Sequence, residues 1–319
     1  MASPPPNLRP GGPVLQVRNI LFPTDFSEQA ERALPHALAL AERFDARLHM
    51  LHAVVLHAAD PAGPDHRFPD LEDAWSRLDG WADERLDEGG ERHDVEVVRH
   101  RQRGLSAAAV ILDYADDREV DLVVMGTHGR RGLRHMLLGS VAEEVVRTAP
   151  CPVLTVRGDG DRGPARGIDR ILVPVDMSEH SYRALDVARG LAAGRDAAVE
   201  VLHVVEDPPR PDLYDGPPGG AKVDRGRVRE TLVARMGGED GEVPVEVHVD
   251  TGHTVSTIVD FAGREDVDMI VLASHGLTGL KRVLLGSVAE RVIRRAPCPV
   301  LTVRAFGRRI LPEGEGGGT

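Results

Sequence analysis

Residues 126–140 read GTHGRRGLRHMLLGS, and residues 273–287 read ASHGLTGLKRVLLGS. Each run carries Gly-x-x-Gly, nine residues, then Gly-Ser, except that Ala273 stands where the first run has Gly126. Glycines at this spacing leave backbone amides clear of side chains, so that a phosphate can approach them. A Gly-Ser pair that opens a helix adds N–H groups with no intrahelical partner, the positive end of the helix dipole and a hydroxyl. Two such amide clusters joined by a flexible arm can close around a polyphosphate. The first arm brings Arg130, Arg131 and Arg134, whose guanidinium forks suit phosphate oxygens, and the second brings Lys281 and Arg282 behind Leu277 and Thr278. The bland alternatives are a solvated basic arm and a glycine-rich turn that holds no ligand. No Gly-x-x-x-x-Gly-Lys-Ser/Thr occurs and no Gly-x-Gly-x-x-Gly follows the first strand of either half, which excludes a Walker-type loop and a dinucleotide fingerprint.

The elements that must position these loops repeat with them. NILFPTDFSEQAERAL (19–34) answers RILVPVDMSEHSYRAL (170–185), and LHMLHAV (48–54) answers VEVLHVV (199–205). LLGSVAEEVVRTAPCPVLTVR (137–157) differs from its counterpart at 284–304 only at 144/291, 146/293 and 148/295. Within the first half, apolar runs over 19–22, 47–52, 121–125 and 153–156 predict strands buried on both faces. Helical spacing over 27–44, 75–89, 106–116 and 140–148 fills the gaps. Strands alternating with helices imply a parallel sheet with right-handed crossovers, so each half is a small open α/β domain. Ser27, Ser178, Ser140 and Ser287 are expected N-caps, and Glu143 and Glu290 complete a capping box with the last two.

The chain has 319 residues, room for two domains, and the repeat makes that division firm. The expected boundaries are 16–157 and 168–305, with the polar, glycine-rich GDGDRGPARG (158–167) as linker and 306–319 as a tail. Segments 57–70 and 206–222, rich in Pro, Asp and Gly, read as variable loops. A formal charge of −12 argues against a general nucleic-acid surface. Cys151 and Cys298 occupy the same place in each repeat, which reads as two buried thiols rather than a disulfide. No export core opens the chain, and no window approaches the roughly 18 apolar residues of a membrane span. The expected setting is therefore cytoplasmic and away from membranes.

PTDFSE (23–28), LHMLHA (48–53), Gly126-x-x-Gly129-x9-Gly139-Ser140 and PCPVLTVR (150–157), each with a second-half counterpart, carry a resemblance. On these residues the chain resembles the universal stress protein family in its tandem form, from residue 17 to residue 304. The resemblance implies a Rossmann-like fold of the adenine nucleotide alpha hydrolase-like kind, with the two domains packed through their last strands as an intrachain pseudo-dimer or a homo-oligomer. It also implies ATP as ligand, a link to survival under stress and an unidentified protein partner. Carried over position by position, Asp25 and Asp176 lie at the adenosine end, and Ala53 and Val204 line the adenine. Gly126, Gly129, Gly139, Ser140 and Val141 then surround ribose and phosphates in the first repeat, as Gly276, Gly286, Ser287 and Val288 do in the second. The family divides into ATP binders and non-binders by the glycine motif, which places the first repeat with the binders. The methyl group of Ala273 is expected to crowd close backbone approach and to make the second site the weaker.

His128 and His275 lie inside the motif without partners at metal-ligand spacing, and His52 and His203 read as satisfied core histidines. Asp25 or Asp176 either holds Mg²⁺ on a bound nucleotide or accepts backbone or ribose hydrogen bonds. Three functions follow: a nucleotide-responsive protein without efficient catalysis, a slow Mg-dependent ATPase or phosphotransfer enzyme using a carboxylate such as Asp25, or a nucleotide-free dimerisation module.

Overall fold

The computed structural model describes residues 15–55, 71–86, 96–127, 138–157, 167–194, 197–206, 223–237, 243–274, 285–304 and 310. The chain divides into two compact units that separate near residue 165. The segments expected as variable loops, linker and tail fall almost wholly outside the described residues; Ile310, within the expected tail, is buried.

The first unit runs β1 (Asn19–Pro23), α1 (Glu28–Phe44), β2 (Arg47–Val55), α2 (Leu71–Leu86), β3 (Val97–Gly104), α3 (Ala107–Asp117), β4 (Leu122–Gly126), α4 (Ser140–Thr148) and β5 (Val153–Val156). Its strands lie in the order β3-β2-β1-β4-β5, with β1–β2, β1–β4, β2–β3 and β4–β5 all parallel. The second unit repeats this with β6 (Arg170–Pro174), α5 (Glu179–Ala192), β7 (Ala198–Val205), α6 (Arg225–Met236), β8 (Val245–Thr251), α7 (Thr254–Arg264), β9 (Met269–Ala273), α8 (Ser287–Arg295) and β10 (Val300–Val303). The order there is β8-β7-β6-β9-β10, again parallel. Each unit is thus an open parallel α/β sheet.

Parallel neighbours require helical crossovers, and helices over both faces demand strands apolar on both sides. Ile20, Leu21, Phe22, Leu48, Met50 and Leu51 are fully buried accordingly, as are Ile171 and Leu172 in the second unit. Full burial of one such side chain stabilises by about 1.5–3 kcal/mol. A carboxylate fixes the start of each sheet. Asp121 Oδ2 accepts the N–H groups of Arg18 (2.8 Å) and Asn19 (3.0 Å), and Asp268 Oδ2 accepts those of Asp169 (3.0 Å) and Arg170 (2.9 Å). Both cysteines are buried, and no disulfide joins them.

Two strands stand where none was expected. β3 (VVRHRQRG) and β8 (VEVHVDT) are edge strands, and their arginines, histidines and carboxylates hide the apolar run that marks an inner strand. The chain runs outward from β1 to β2 and β3, then crosses back to β4 and β5. The crevice beyond the carboxyl ends of β1 and β4 is the switch point where open α/β sheets take ligands.

Candidate functional site

At that edge β1 ends with Pro23, and its next residues turn sharply into α1. Asp25 occupies the turn, half-buried, with Oδ1 accepting the N–H of Ser27 at 3.0 Å. Phe26 is driven to φ 61°, and its counterpart Met177 to φ 66°. Bulky residues rarely adopt this region, and each such residue costs on the order of 1–3 kcal/mol. The strain is compensated locally. Phe26 N–H donates to Thr24 Oγ1 (3.0 Å), and Ser27 Oγ caps α1 by accepting from Ala30 N–H (3.3 Å). The second unit repeats the arrangement: Asp176 Oδ1 accepts from Ser178 N–H (3.1 Å) and from the Ser178 hydroxyl (2.5 Å), and Ser178 Oγ accepts from Ser181 N–H (3.2 Å). Ser27 and Ser178 are therefore the N-caps expected of them.

The strand ends converge because β1 pairs with β2 on one side and β4 on the other. Ala53, seventh in β2, and Val204, seventh in β7, are half-buried near those ends, and Gly126 closes β4. Beyond Gly126, Thr127 N–H donates to Val156 carbonyl (3.0 Å), and Thr127 carbonyl accepts Gly139 N–H at 2.8 Å. This bond shuts the two ends of the intervening arm together and sets the first turn of α4 beside the end of β4. Ser274 and Gly286 make the same 2.8 Å closure in the second unit. Gly129, Arg130 and Gly276, together with the other arm residues His128, Arg131, Arg134, His275, Leu277, Thr278, Lys281 and Arg282, lie outside the described residues.

The capping expectation fails at the loop helices. The N-caps of α4 and α8 are Gly139 and Gly286, with extended backbone and no side-chain cap. Ser140 and Ser287 are one residue further in, exposed, as first residues of the helices, so neither forms the expected capping box with Glu143 or Glu290. Helices α1, α3, α5 and α6 carry side-chain caps from Ser27, Ser106, Ser178 and Asp224, whereas α7, like α4 and α8, has none. A helix start without a side-chain oxygen over its amides keeps them available to an outside acceptor. Val141 is half-buried and Val288 is 36% exposed behind these starts.

The reason expected for Gly126 also changes. A Cβ built there would lie 2.8 Å from the carbonyl oxygen of Gln29 and 3.1 Å from its carbon. The methyl group would meet the backbone of the first turn of α1 rather than a phosphate. Gly126 lets α1 settle close on β4; in the second unit α5 packs on β9, whose last residue is Ala273.

Two residues read as core histidines belong to this edge. His52 Nδ1 lies 2.8 Å from the Thr24 carbonyl, and His203 Nδ1 lies 2.7 Å from the Val175 carbonyl. A carbonyl only accepts, so each ring carries its proton on Nδ1. Burial holds His203 below its usual value, opposed by this bond and by Asp176. The signal for their role was present in the sequence, as a Leu-His pair directly before Ala53 and Val204 in both repeats.

Among the described residues one group gathers three potential metal ligands within 4.8 Å: Glu200, Glu246 and His248. It lies toward the starting end of the second sheet, away from the crevice. His248 Nε2 is 2.5 Å from Glu200 Oε2, and the Arg170 guanidinium is 3.6 Å from the other oxygen. Hydrogen bond and arginine already supply what a cation would, and the arrangement is an ion-pair network.

The model of the universal stress protein family matches residues 16–157 and again 167–304. A universal stress protein of Mycolicibacterium smegmatis is 29% identical over 295 residues, covering 89% of this chain and 96% of its own. Universal stress protein MJ0531 of Methanocaldococcus jannaschii is 36% identical over 145 residues, 42% of this chain and 81% of its own. The solved structure of a universal stress protein from Archaeoglobus fulgidus superposes with a TM-score of 0.67 at 22% identity, covering 91% of this chain and 99% of that one.

Proposed function

The chain belongs to the universal stress protein family, with two family domains in tandem, and from that premise we propose that it is an ATP-binding protein whose first repeat is the principal site. The observation that carries the nucleotide site is the closure of Thr127 carbonyl on Gly139 N–H, which sets a helix start without side-chain cap beside the ends of β1 and β4; the second repeat shares it, and Ala273 in place of Gly126 is what ranks that repeat below the first. In this reading the α4 amides of Ser140 and Val141, with the dipole behind them, hold phosphate oxygens. Asp25, its Oδ1 already accepting Ser27 N–H, accepts ribose hydroxyl or adenine amino hydrogens through its carboxylate, and Ala53 supplies apolar contact to the base. Gly129 and Arg130 complete the cradle on the arm, and Mg²⁺ accompanies the triphosphate as its counter-ion. Asp176, Val204, Gly276, Gly286, Ser287 and Val288 form the second, weaker site.

The function is regulatory. ATP orders the glycine arm and changes the surface offered to a protein partner under stress, and the cytoplasm is its setting. Among the described residues no helix is long and apolar enough to cross a membrane. Calorimetric titration of nucleotide-freed protein with ATP is expected to show saturable binding at micromolar concentration. Absence of saturable binding below the millimolar range would overturn the reading.

A further inference from the structure

Asp25 is held from both sides by one side chain. On its N-terminal side, the Thr24 carbonyl accepts the Nδ1–H of His52 at 2.8 Å; on its C-terminal side, the Phe26 ring packs on the His52 ring with centroids 4.4 Å apart. We propose that His52 is the positioning residue of the nucleotide site, fixing the peptide planes on either side of Asp25 so that its carboxylate faces the adenosine end. The inference rests on the adenosine role given to Asp25 above.

β1 pairs with β2 through Pro23, and Thr24 N–H still donates to the Leu51 carbonyl at 2.8 Å. At Thr24 the chain leaves the sheet while still buried, at 5% exposure, and a buried carbonyl without a donor is costly. His52, also buried, supplies the donor from the neighbouring strand. The bond locks the Thr24–Asp25 peptide just where Phe26 must take its left-handed conformation. The Phe26 ring, released to one side by that conformation, is boxed by His52, by Trp81 at 5.9 Å and by the Arg77 guanidinium at 4.7 Å. Trp81 is itself tied to α1 through its indole N–H on Glu31 at 3.1 Å.

The second unit supplies an internal comparison. His203 donates to the Val175 carbonyl at 2.7 Å, directly before Asp176, in the same geometry. The residue after Asp176 is Met177, and its carbonyl accepts from Arg235 Nη1 at 3.5 Å. In both repeats a buried histidine thus meets the carbonyl directly before the aspartate.

The test uses the full chain with His52→Leu, which removes donor and ring, and His52→Asn, whose amide nitrogen stands where Nδ1 does. His52→Leu is expected to weaken ATP at the first site roughly tenfold, about 1.4 kcal/mol, and to leave inorganic tripolyphosphate binding unchanged, since α4 is untouched. His52→Asn is expected to recover most of the ATP affinity. In nucleotide-free protein, amide exchange at Phe26 and Ser27 should rise in His52→Leu and return toward wild type in His52→Asn. Should His52→Leu fail to fold, His52→Gln, with its donor one methylene too far out, takes its place with the same expectation. Unchanged exchange in His52→Leu, or equal loss of ATP and tripolyphosphate, would overturn the proposal. If the wild-type chain binds neither compound, the nucleotide reading fails, and the exchange measurement still decides whether His52 holds the turn.

Discussion

The two units agree where backbone does the work and diverge where side chains do. The closure of the arm is the same 2.8 Å bond in both, from Thr127 to Gly139 and from Ser274 to Gly286, and both following helices start on glycine without a side-chain cap. The aspartate turns differ. Thr24 adds a hydroxyl that receives the Phe26 N–H, whereas Val175 has none to give, and the Ser178 hydroxyl turns onto Asp176. The first turn is packed by rings, and the second carries Met177. The two repeats keep the same arm closure and glycine-started helix and vary the aspartate turn.

The starting ends of the sheets diverge too. His49 pairs with the Tyr114 hydroxyl (2.9 Å) and Asn19 (3.2 Å), whereas the corresponding Glu200 meets His248 and Arg170. The first cluster is neutral and the second is charged. Burial foremost, then Arg47 and Arg118, hold the His49 imidazole down to about 4.

The largest expected difference between the units comes from their strand-end residues. Gly126→Val forces a branched side chain onto the Gln29 carbonyl; it is expected to cost at least 1–3 kcal/mol in denaturant unfolding, as overpacking does, and to abolish ATP binding in the first site. Ala273→Gly is expected to cost only about 0.5–1 kcal/mol. Equal effects would remove Gly126 as a distinguishing feature. The next comparison is acid sensitivity. The unfolded chain takes up the His49 proton near the ordinary 6.5, whereas the folded chain resists until about 4. Stability fully present above pH 6.5 is therefore lost as pH falls toward 4. His49→Gln should flatten the dependence of unfolding free energy on pH over that window, and an unchanged slope would assign the acid loss elsewhere. The smallest effects concern caps. Ser27→Ala is expected to cost ~1 kcal/mol, and Ser140→Ala less than about 0.5 kcal/mol, because Ser140 caps nothing; a larger loss for Ser140→Ala would contradict the glycine N-cap.

Much of this frame was legible in the sequence. The inner strand Asn19–Pro23 all but coincides with its apolar run at 19–22, and α4 coincides with its helical spacing. Edge strands β3 and β8 were not, because a strand covered on fewer sides tolerates charge and loses the apolar signature. Residue types and spacing singled out Gly126 and Gly139 in the glycine motif, whereas Asp25 came from the family resemblance. What they could not give was direction: whether a methyl at 126 points toward a ligand or a helix, and whether Ser140 or Gly139 stands at the cap. His52 was half legible for the same reason: the Leu-His pair recurs in both repeats, but it does not say which carbonyl the ring meets.

The central claim, a nucleotide site in the first repeat stronger than its copy, is tested most directly by calorimetric ATP titration of three full-length proteins: wild type, Asp25→Ala and Asp176→Ala. The expected result is one tight site in the wild type, weakened roughly tenfold, about 1.4 kcal/mol, by Asp25→Ala and left intact by Asp176→Ala. Two equal sites, or a tight site lost only in Asp176→Ala, would contradict it.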